Sequence, residues 1–141
     1  MSQTTLTIIK PDAVGAGNAG NILAHLEAAG FRILGMKRLR LSRDQARAFY
    51  EVHCERPFYD SLVEFMTSGP VVAAALERDD AVAGLRRVMG ATNPEDAEDG
   101  TVRKLYASSI ERNAIHGSDS PENAALEIAF FFSRVELIGA H

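Results

Sequence analysis

The sequence contains one cysteine, no tryptophan and no long apolar run. Cys54 alone cannot form an internal disulfide or a cysteine metal site, so we expect a reducing, cytoplasmic environment. No apolar stretch reaches the roughly 20 residues that a membrane-spanning helix needs. The opening residues MSQTT lack the basic start and apolar segment of a signal peptide. We therefore expect neither a membrane protein nor a disulfide-rich secreted one.

The charge balance is mildly acidic. A formal net charge of −4 argues against broad binding to the nucleic-acid backbone. A small anionic substrate is still compatible with it, because a few arginines in a cleft reverse the local potential. The 141 residues are 46% hydrophobic and show no repeat, low-complexity tract or linker. We therefore expect one domain spanning residues 1–141, large enough to bury its own core.

Apolar and β-branched runs predict a sheet. Such runs predict strands at 5–10, 31–41 and 71–76. The segment 128–132 (IAFFF) fits either a helix end or a strand, and its aromatic content favours a strand. The chain thus offers four strands.

Helical spacing and capping residues predict the intervening elements. Apolar residues recur at helical spacing in 18–29 and 80–89. Ser42 with Gln45 predicts a capped helix, and Pro57 predicts the start of a second helix, which together form an inserted pair. The order is that of a ferredoxin-like βαββαβ fold, an α+β sandwich with a four-stranded antiparallel sheet.

Two polar segments complete this scheme. The stretch 91–100 is too long and acidic for a simple turn and predicts an excursion loop of functional type. Ser120 and Pro121 are suited to the N-cap and first turn of a further helix.

A glycine pattern at 15–20 matches G-x-G-x-x-G, which can mark dinucleotide binding. Five residues separate it from the preceding strand, and the later acidic residue that would hold a ribose is missing. Asn21 and Ile22 replace the lysine and hydroxyl residue of a phosphate-binding P-loop. These glycines therefore favour a loop and a helix start over a cofactor site.

The segment 113–120 (NAIHGSDS) combines an imidazole, a glycine, hydroxyls and a carboxylate. Histidine acts as a nucleophile when a neighbour orients its ring and fixes which nitrogen is free. His116 is thus a candidate nucleophile, although the same residues also suit a plain turn and helix cap.

Two arginines and a threonine are candidate phosphate ligands. A guanidinium can grip phosphate oxygens with two hydrogen bonds. Arg86 is expected near the core-facing side of its helix, Arg103 follows the long loop, and Thr92 lies near the start of that loop. Each alone is also an ordinary surface residue.

Four blocks of the sequence carry a family resemblance: IIKPDAV, FYEVHCERPFYDSLVEFMTSGPVV, MGATNPEDAEDGTVRKLY and NAIHGSDSPENAALEIAFFF. In this order they resemble nucleoside diphosphate kinases along nearly the whole chain. The resemblance implies that the γ-phosphoryl group of a triphosphate, with ATP as the expected donor, passes to His116 and then to a nucleoside diphosphate. Two half-reactions at one site give ping-pong kinetics.

The resemblance also implies roles for the other site residues. Lys10 would contact the sugar and the transferred phosphate, and Asn113 the ribose hydroxyl. Arg86, Thr92 and Arg103 would bind phosphates, with Mg²⁺ carried on the nucleotide and not by protein side chains. The remaining roles fall to five side chains around the histidine and the base: Tyr50 beside the nucleophile, Glu127 and Ser118 supporting its ring, and Phe58 stacking on the base with Leu62 beside it.

The sequence departs from the family pattern at three places, none of which is a catalytic position. Ala13 replaces a common glycine, Arg78-Asp79-Asp80 replaces a glycine-containing turn, and Tyr59 replaces a frequent phenylalanine. The resemblance implies a homo-oligomer. Because the sequence ends at His141 without the extension of many hexameric members, a tetramer is expected over a hexamer.

Two other classes of function stay open at this point. A non-catalytic ferredoxin-like module could bind a nucleotide or a protein partner, with His116 structural. Nucleic-acid binding through the sheet is disfavoured by the acidic charge and by the lack of a basic aromatic face.

Overall fold

The computed structural model describes residues 2–140. Its sheet contains β1 (Ser2–Ile9), β2 (Arg32–Leu39), β3 (Val71–Asp79) and β4 (Ile115–Gly117). The strand order is β2-β3-β1-β4, and all three pairings are antiparallel. This is the predicted ferredoxin-like α+β arrangement.

Eight α-helices connect and cover the strands in the described chain. They are α1 (Pro11–Gly15), α2 (Ala19–Ala28), α3 (Arg43–Phe49), α4 (Tyr59–Met66), α5 (Ala81–Met89), α6 (Val102–Tyr106), α7 (Pro121–Phe131) and α8 (Arg134–Leu137). Short 3₁₀ segments lie at Glu51–His53 and Pro94–Asp96. The inserted pair is α3 with α4, and the excursion loop precedes α6.

Both faces of the sheet are covered. Successive side chains of a strand point to opposite faces, so Ile9 of β1 joins one apolar cluster and Ile8 joins the other. The first cluster includes Ile22 of α2 and Leu85 of α5, and the second includes Phe131 of α7. Each face of the sheet therefore carries its own packed apolar cluster.

The fourth strand lies elsewhere than predicted. Residues 128–131 continue α7, which Ser120 caps and Pro121 begins as expected, and the edge strand is Ile115–Gly117. The aromatic residues of this segment favoured a strand, but Phe131 and Phe132 are instead buried in the second cluster. Tertiary packing has outweighed the local strand preference.

One helix start was also wrong. Pro57 lies in a turn, and α4 begins at Tyr59 after Phe58, whereas the capping box of Ser42 and Gln45 is present as predicted. The short α1, α6 and α8 were not predicted, since five residues or fewer give no clear helical periodicity.

Candidate active site

His116 lies at the centre of the edge strand β4. It pairs with Ile8 of β1, and its carbonyl accepts a hydrogen bond from Thr7 Oγ1 at 2.8 Å. Residues opposite each other in an antiparallel pair share a face, so the ring points towards the second cluster. There it meets the ring edges of Phe49 and Tyr50, with centroids 5.5 and 6.4 Å away. The backbone and two aromatic walls thus fix the position of the imidazole.

Glu127 orients the imidazole. His116 Nε2 lies 2.8 Å from Glu127 Oε1, and the same oxygen accepts a hydrogen bond from Ser118 Oγ at 2.7 Å. Ser118 is fully buried and also accepts a long bond from Leu6 N at 3.4 Å. An ionised carboxylate only accepts hydrogen bonds, so Nε2 is the donor in this contact, and Nδ1 is the ring nitrogen that makes no bond to Glu127. The sequence could not establish this direct contact.

Gly117 lets helix α5 approach the histidine strand. A Cβ atom at this position would lie 2.5 Å from Met89 Sδ and 2.9 Å from Leu85 Cδ2. The close approach brings Arg86 alongside, where its Nη1 donates to the Gly117 carbonyl at 3.4 Å. Contrary to the expected core-facing position, Arg86 is exposed and lines a pocket, because Val82, Leu85 and Met89 occupy the buried side of α5.

Lys10 is buried at the end of β1, next to the site. Its Nζ donates to Asn113 Oδ1 at 2.8 Å. Burial, assisted by the positive charge of Arg103, lowers the pKa of Lys10 to about 8, against smaller opposing effects of Asp12 and Glu111. A lysine whose pKa is lowered this far towards neutral pH, in a pocket, is characteristic of functional sites.

Arg103 holds the backbone around the histidine. Its Nε donates to the Asn113 carbonyl at 3.3 Å, its Nη1 to the Gly90 carbonyl at 3.1 Å and its Nη2 to the Ile115 carbonyl at 2.8 Å. Burial and the nearby Arg86 charge lower the pKa of this guanidinium to about 10. A guanidinium has five N–H donors, so two stay available for a ligand.

The hydroxyl of Tyr50 is buried near the imidazole. Among the described residues it has no hydrogen-bond partner. Burial, with the negative charge of Glu127, raises the pKa of Tyr50, so the phenol is neutral. A buried unpaired hydroxyl is costly, and such atoms are common where a ligand completes the bonding.

These side chains surround one pocket of about 720 Å³. Nine of the eleven predicted site residues line it: Lys10, Tyr50, Phe58, Leu62, Arg86, Thr92, Arg103, His116 and Glu127. Asn113 and Ser118 stand behind this lining and bond Lys10 and Glu127. Phe58 is 48% exposed at the mouth, with the His53 ring centroid 5.5 Å away. The pocket is therefore cationic around the histidine and aromatic at its mouth.

Several lining residues were not predicted. Phe49 ends α3, and His53 lies in the 3₁₀ segment between α3 and α4. One side of α7 and the turn before it contribute Asp119, Asn123, Leu126 and Phe130. Their spacing of three and four residues from Asp119 was the available signal, because one face of a helix then meets the pocket.

No metal cluster or membrane helix accompanies the pocket. Residues 2–140 contain no group of three or more His, Cys, Asp or Glu side chains arranged to hold an ion. Within the same range, no helix combines the length and apolar character needed to cross a bilayer.

Comparison with known proteins gives a consistent match. The family model described as nucleoside diphosphate kinase matches residues 3–137. The chain is 60% identical over 137 residues to the nucleoside diphosphate kinase of Maricaulis maris, covering 97% of this chain and 98% of that protein. It is 53% identical over 136 residues to that of Persephonella marina, covering 96% and 97%.

Solved structures agree with this match. The chain superposes on the Aquifex aeolicus nucleoside diphosphate kinase with a TM-score of 0.95 and 45% identity, covering 97% of this chain and 99% of that one. A halophilic nucleoside diphosphate kinase from Halobacterium salinarum, in complex with CDP, gives a TM-score of 0.92 at 40% identity, covering 97% and 91%.

Proposed function

The chain belongs to the nucleoside diphosphate kinase family and transfers phosphoryl groups between nucleotides, and on that premise we propose that His116 carries the phosphoryl group. The observation that supports this role most directly is the 2.8 Å contact between His116 Nε2 and Glu127 Oε1. It commits one ring nitrogen to the carboxylate and leaves Nδ1 as the nucleophile.

The first half-reaction forms a phosphohistidine. The Nδ1 lone pair attacks the γ-phosphorus of the triphosphate, and the bond from that phosphorus to the β–γ bridging oxygen breaks. The electron pair leaves with the nucleoside diphosphate. The imidazole becomes cationic as the bond forms, and the Glu127 carboxylate stabilises that charge through the Nε2–H. A second diphosphate then attacks the phosphohistidine, which reverses these steps.

Cationic side chains neutralise the transferred phosphoryl group. Lys10, Arg86 and Arg103 line the same pocket as His116. Arg103 is held by three backbone carbonyls before any ligand binds, so its remaining donors need little reorganisation in the transition state. Thr92 adds a hydroxyl at the pocket wall, and the unpaired Tyr50 hydroxyl is placed to bond a ligand beside the histidine.

Phe58 and Leu62 are proposed to bind the base. An exposed aromatic ring at the pocket mouth offers a stacking surface that accepts any base. The relative from Halobacterium salinarum was solved with CDP, and a nucleotide in this pocket would place its base at Phe58 and its phosphates towards His116. Asn113 would hold the ribose hydroxyl, and its bond to Lys10 positions the amide for that contact.

Magnesium is proposed to arrive with the nucleotide. The polar lining around the histidine is dominated by Lys10, Arg86 and Arg103, which repel a bare cation, and the described residues offer no three-ligand cluster. Phosphate oxygens are the hard ligands that Mg²⁺ prefers, so the Mg²⁺–triphosphate complex is the substrate.

We also propose the remaining biological setting. ATP is the phosphoryl donor, the compartment is the cytoplasm in keeping with the single cysteine, and residues 1–141 act as one domain.

The chain assembles as a homo-oligomer, a tetramer in preference to a hexamer. The outer edge of β2 has no strand beside it in the described chain, and Met36 of β2 is 53% exposed there. An open edge of this kind is suited to pairing with a second copy, and sedimentation analysis measures the assembly size.

The phosphoenzyme tests the proposed role of His116. Incubation with γ-labelled ATP and Mg²⁺ should give an acid-labile label that a nucleoside diphosphate removes. The substitution His116→Ala should abolish it, whereas His25→Ala, in α2 outside the pocket, should leave it unchanged. A label that persists in His116→Ala would exclude this histidine. A wild-type protein that binds nucleotide without being labelled would favour the non-catalytic alternative.

A further inference from the structure

Ala114, two residues before His116, has an unusual backbone conformation. Its φ is +70°, in the left-handed region that alanine disfavours because Cβ crowds the neighbouring carbonyl. The Ile115 N–H donates to the Asn113 carbonyl at 2.8 Å, so residues 113–115 form a γ-turn with positive φ, which is the strained form. Ala114 is fully buried. Such a conformation persists only where surrounding groups hold it.

Both backbone groups of Ala114 are held by one distant segment. The Ala114 carbonyl accepts a hydrogen bond from Lys10 N at 2.8 Å. The Ala114 N–H donates to Asp12 Oδ2 at 3.1 Å, across 102 residues of sequence. Pro11 stands between these two residues at the first turn of α1 and restricts the backbone there. The turn before the histidine is therefore clamped by a main-chain donor and a carboxylate acceptor.

The Asp12 carboxylate accepts one hydrogen bond from the described residues, that of the Ala114 N–H, and its charge also favours the protonated form of Lys10. Its second oxygen, Oδ1, is buried and accepts no hydrogen bond from the described residues. Burying a carboxylate with an unpaired oxygen is unfavourable, so stability alone does not account for this residue. Helix α1 is only five residues long, and its macrodipole offers the side chain little compensation.

The clamped turn leads directly into the site. On one side of it, Asn113 Oδ1 accepts the hydrogen bond from Lys10 Nζ. On the other side, Ile115 begins β4, in which His116 pairs with Ile8. We propose that Asp12 is a positioning residue, an inference that rests on the proposed function. It holds Ala114 in the left-handed conformation and thereby sets Asn113 and His116 in place for phosphoryl transfer, without touching the substrate.

A double-mutant cycle tests this role. Asp12→Ala removes the acceptor and should slow phosphorylation of His116 by roughly 10- to 100-fold, the cost of a small misplacement of reacting groups. Ala114→Gly removes the penalty for positive φ, so adding it to Asp12→Ala should recover about tenfold of that loss. Asp12→Asn keeps an oxygen acceptor and should stay within about threefold of wild type. Rates are measured well below the Lys10 pKa of about 8, so that its charge is constant.

The outcomes separate positioning from plain stabilisation. If the phosphorylation rate of the double variant is no higher than that of Asp12→Ala alone, the proposal is overturned. Two substitutions that act on the same turn must have non-additive effects on that rate. If Asp12→Ala does not fold, recovery of folded, phosphorylated protein on adding Ala114→Gly supports the proposal, and failure to recover it overturns it. Asp99→Ala, an exposed aspartate outside the pocket, is the matched control.

The same assay keeps the two proposals distinct. Absence of a phosphohistidine in the wild type would refute the role of His116. If the wild-type protein is phosphorylated and Asp12→Ala is phosphorylated at the same rate, only the proposed role of Asp12 is refuted.

Discussion

One oxygen of Glu127 lies 2.8 Å from His116 Nε2 and also accepts the Ser118 hydroxyl. The histidine is therefore held by a carboxylate that is itself oriented by a buried serine. Glu127 acts on the imidazole directly and Ser118 acts through Glu127, so we expect the two residues to contribute differently to phosphoryl transfer.

Glu127→Gln should lower kcat more than it changes KM. The amide keeps the size of the side chain and an acceptor oxygen, but it loses the charge that stabilises the developing imidazolium. A charge-assisted hydrogen bond contributes about 1.5–3 kcal/mol, so we expect a roughly 10- to 150-fold loss. Ser118→Ala should cost less, because Glu127 keeps its contact with the ring. Single-turnover phosphorylation rates measure both, and a larger effect for Ser118→Ala would contradict this order.

Activity should decline as the pH rises through about 8, since burial lowers the pKa of Lys10 to that value. The protonated amine is the form that binds phosphate, and each further pH unit removes about tenfold of it. Stability should move in the opposite direction. Between the folded pKa of about 8 and the ordinary lysine value of 10.5, the unfolded chain binds more protons at Lys10 than the folded chain, so this residue's contribution to the unfolding free energy rises with pH in that window.

The control for this pH effect is Lys10→Arg compared with Lys104→Arg. An arginine at position 10 keeps its charge to higher pH and should move the alkaline limb of kcat/KM upwards, even if the maximal rate falls. Lys104 is exposed on α6 and outside the pocket, so its substitution should leave the limb in place. If the alkaline limb of kcat/KM is unchanged in Lys10→Arg, the loss of activity at high pH must come from the titration of another group.

Phe58→Ala should weaken nucleotide binding with little effect on the chemical step. Loss of one base–aromatic stack costs about 1–3 kcal/mol, which is roughly a 5- to 150-fold rise in KM. The rise should be similar for purine and pyrimidine diphosphates, because stacking does not read base edges. Leu105→Ala, an exposed apolar residue outside the pocket, provides the control. A loss confined to one base would indicate hydrogen-bond recognition instead.

Gly117→Ala should destabilise the protein and displace α5 from the histidine strand. The added methyl group would lie 2.5 Å from Met89 Sδ, and overpacking of this kind costs about 1–3 kcal/mol. Arg86 would shift with the helix, so activity should fall beyond the loss of stability. Gly20→Ala, in α2 with no atom within 4 Å of the new Cβ, should instead be neutral or stabilising. Thermal unfolding compares the two variants.

Local sequence signals predicted the features that depend on neighbouring residues. The capping box of Ser42 with Gln45 and the Ser120 cap are present as expected, since a cap is made within three residues. The strand carrying His116 was missed because three residues are too few to show alternation. Phe131 shows the opposite error, in which a residue typical of strands is helical because its helix buries it.

The site could be predicted only as a set of residues. Family motifs identified nine of the residues that line the pocket. The bond between Lys10 and Asn113 spans 103 residues, and no local sequence pattern indicates it. The positive φ of Ala114 could not be predicted from the sequence either, because alanine has no preference for that conformation.

The pairing of β1 with β4 has a consequence for how the protein is made. His116 lies opposite Ile8, so β1 is synthesised more than a hundred residues before the strand that covers its second edge. Until then that edge is open to wrong partners. Glu127 emerges later still and must dock through α7 before the imidazole is oriented. Any chain released before this helix would therefore be inactive, even with its nucleophile already synthesised.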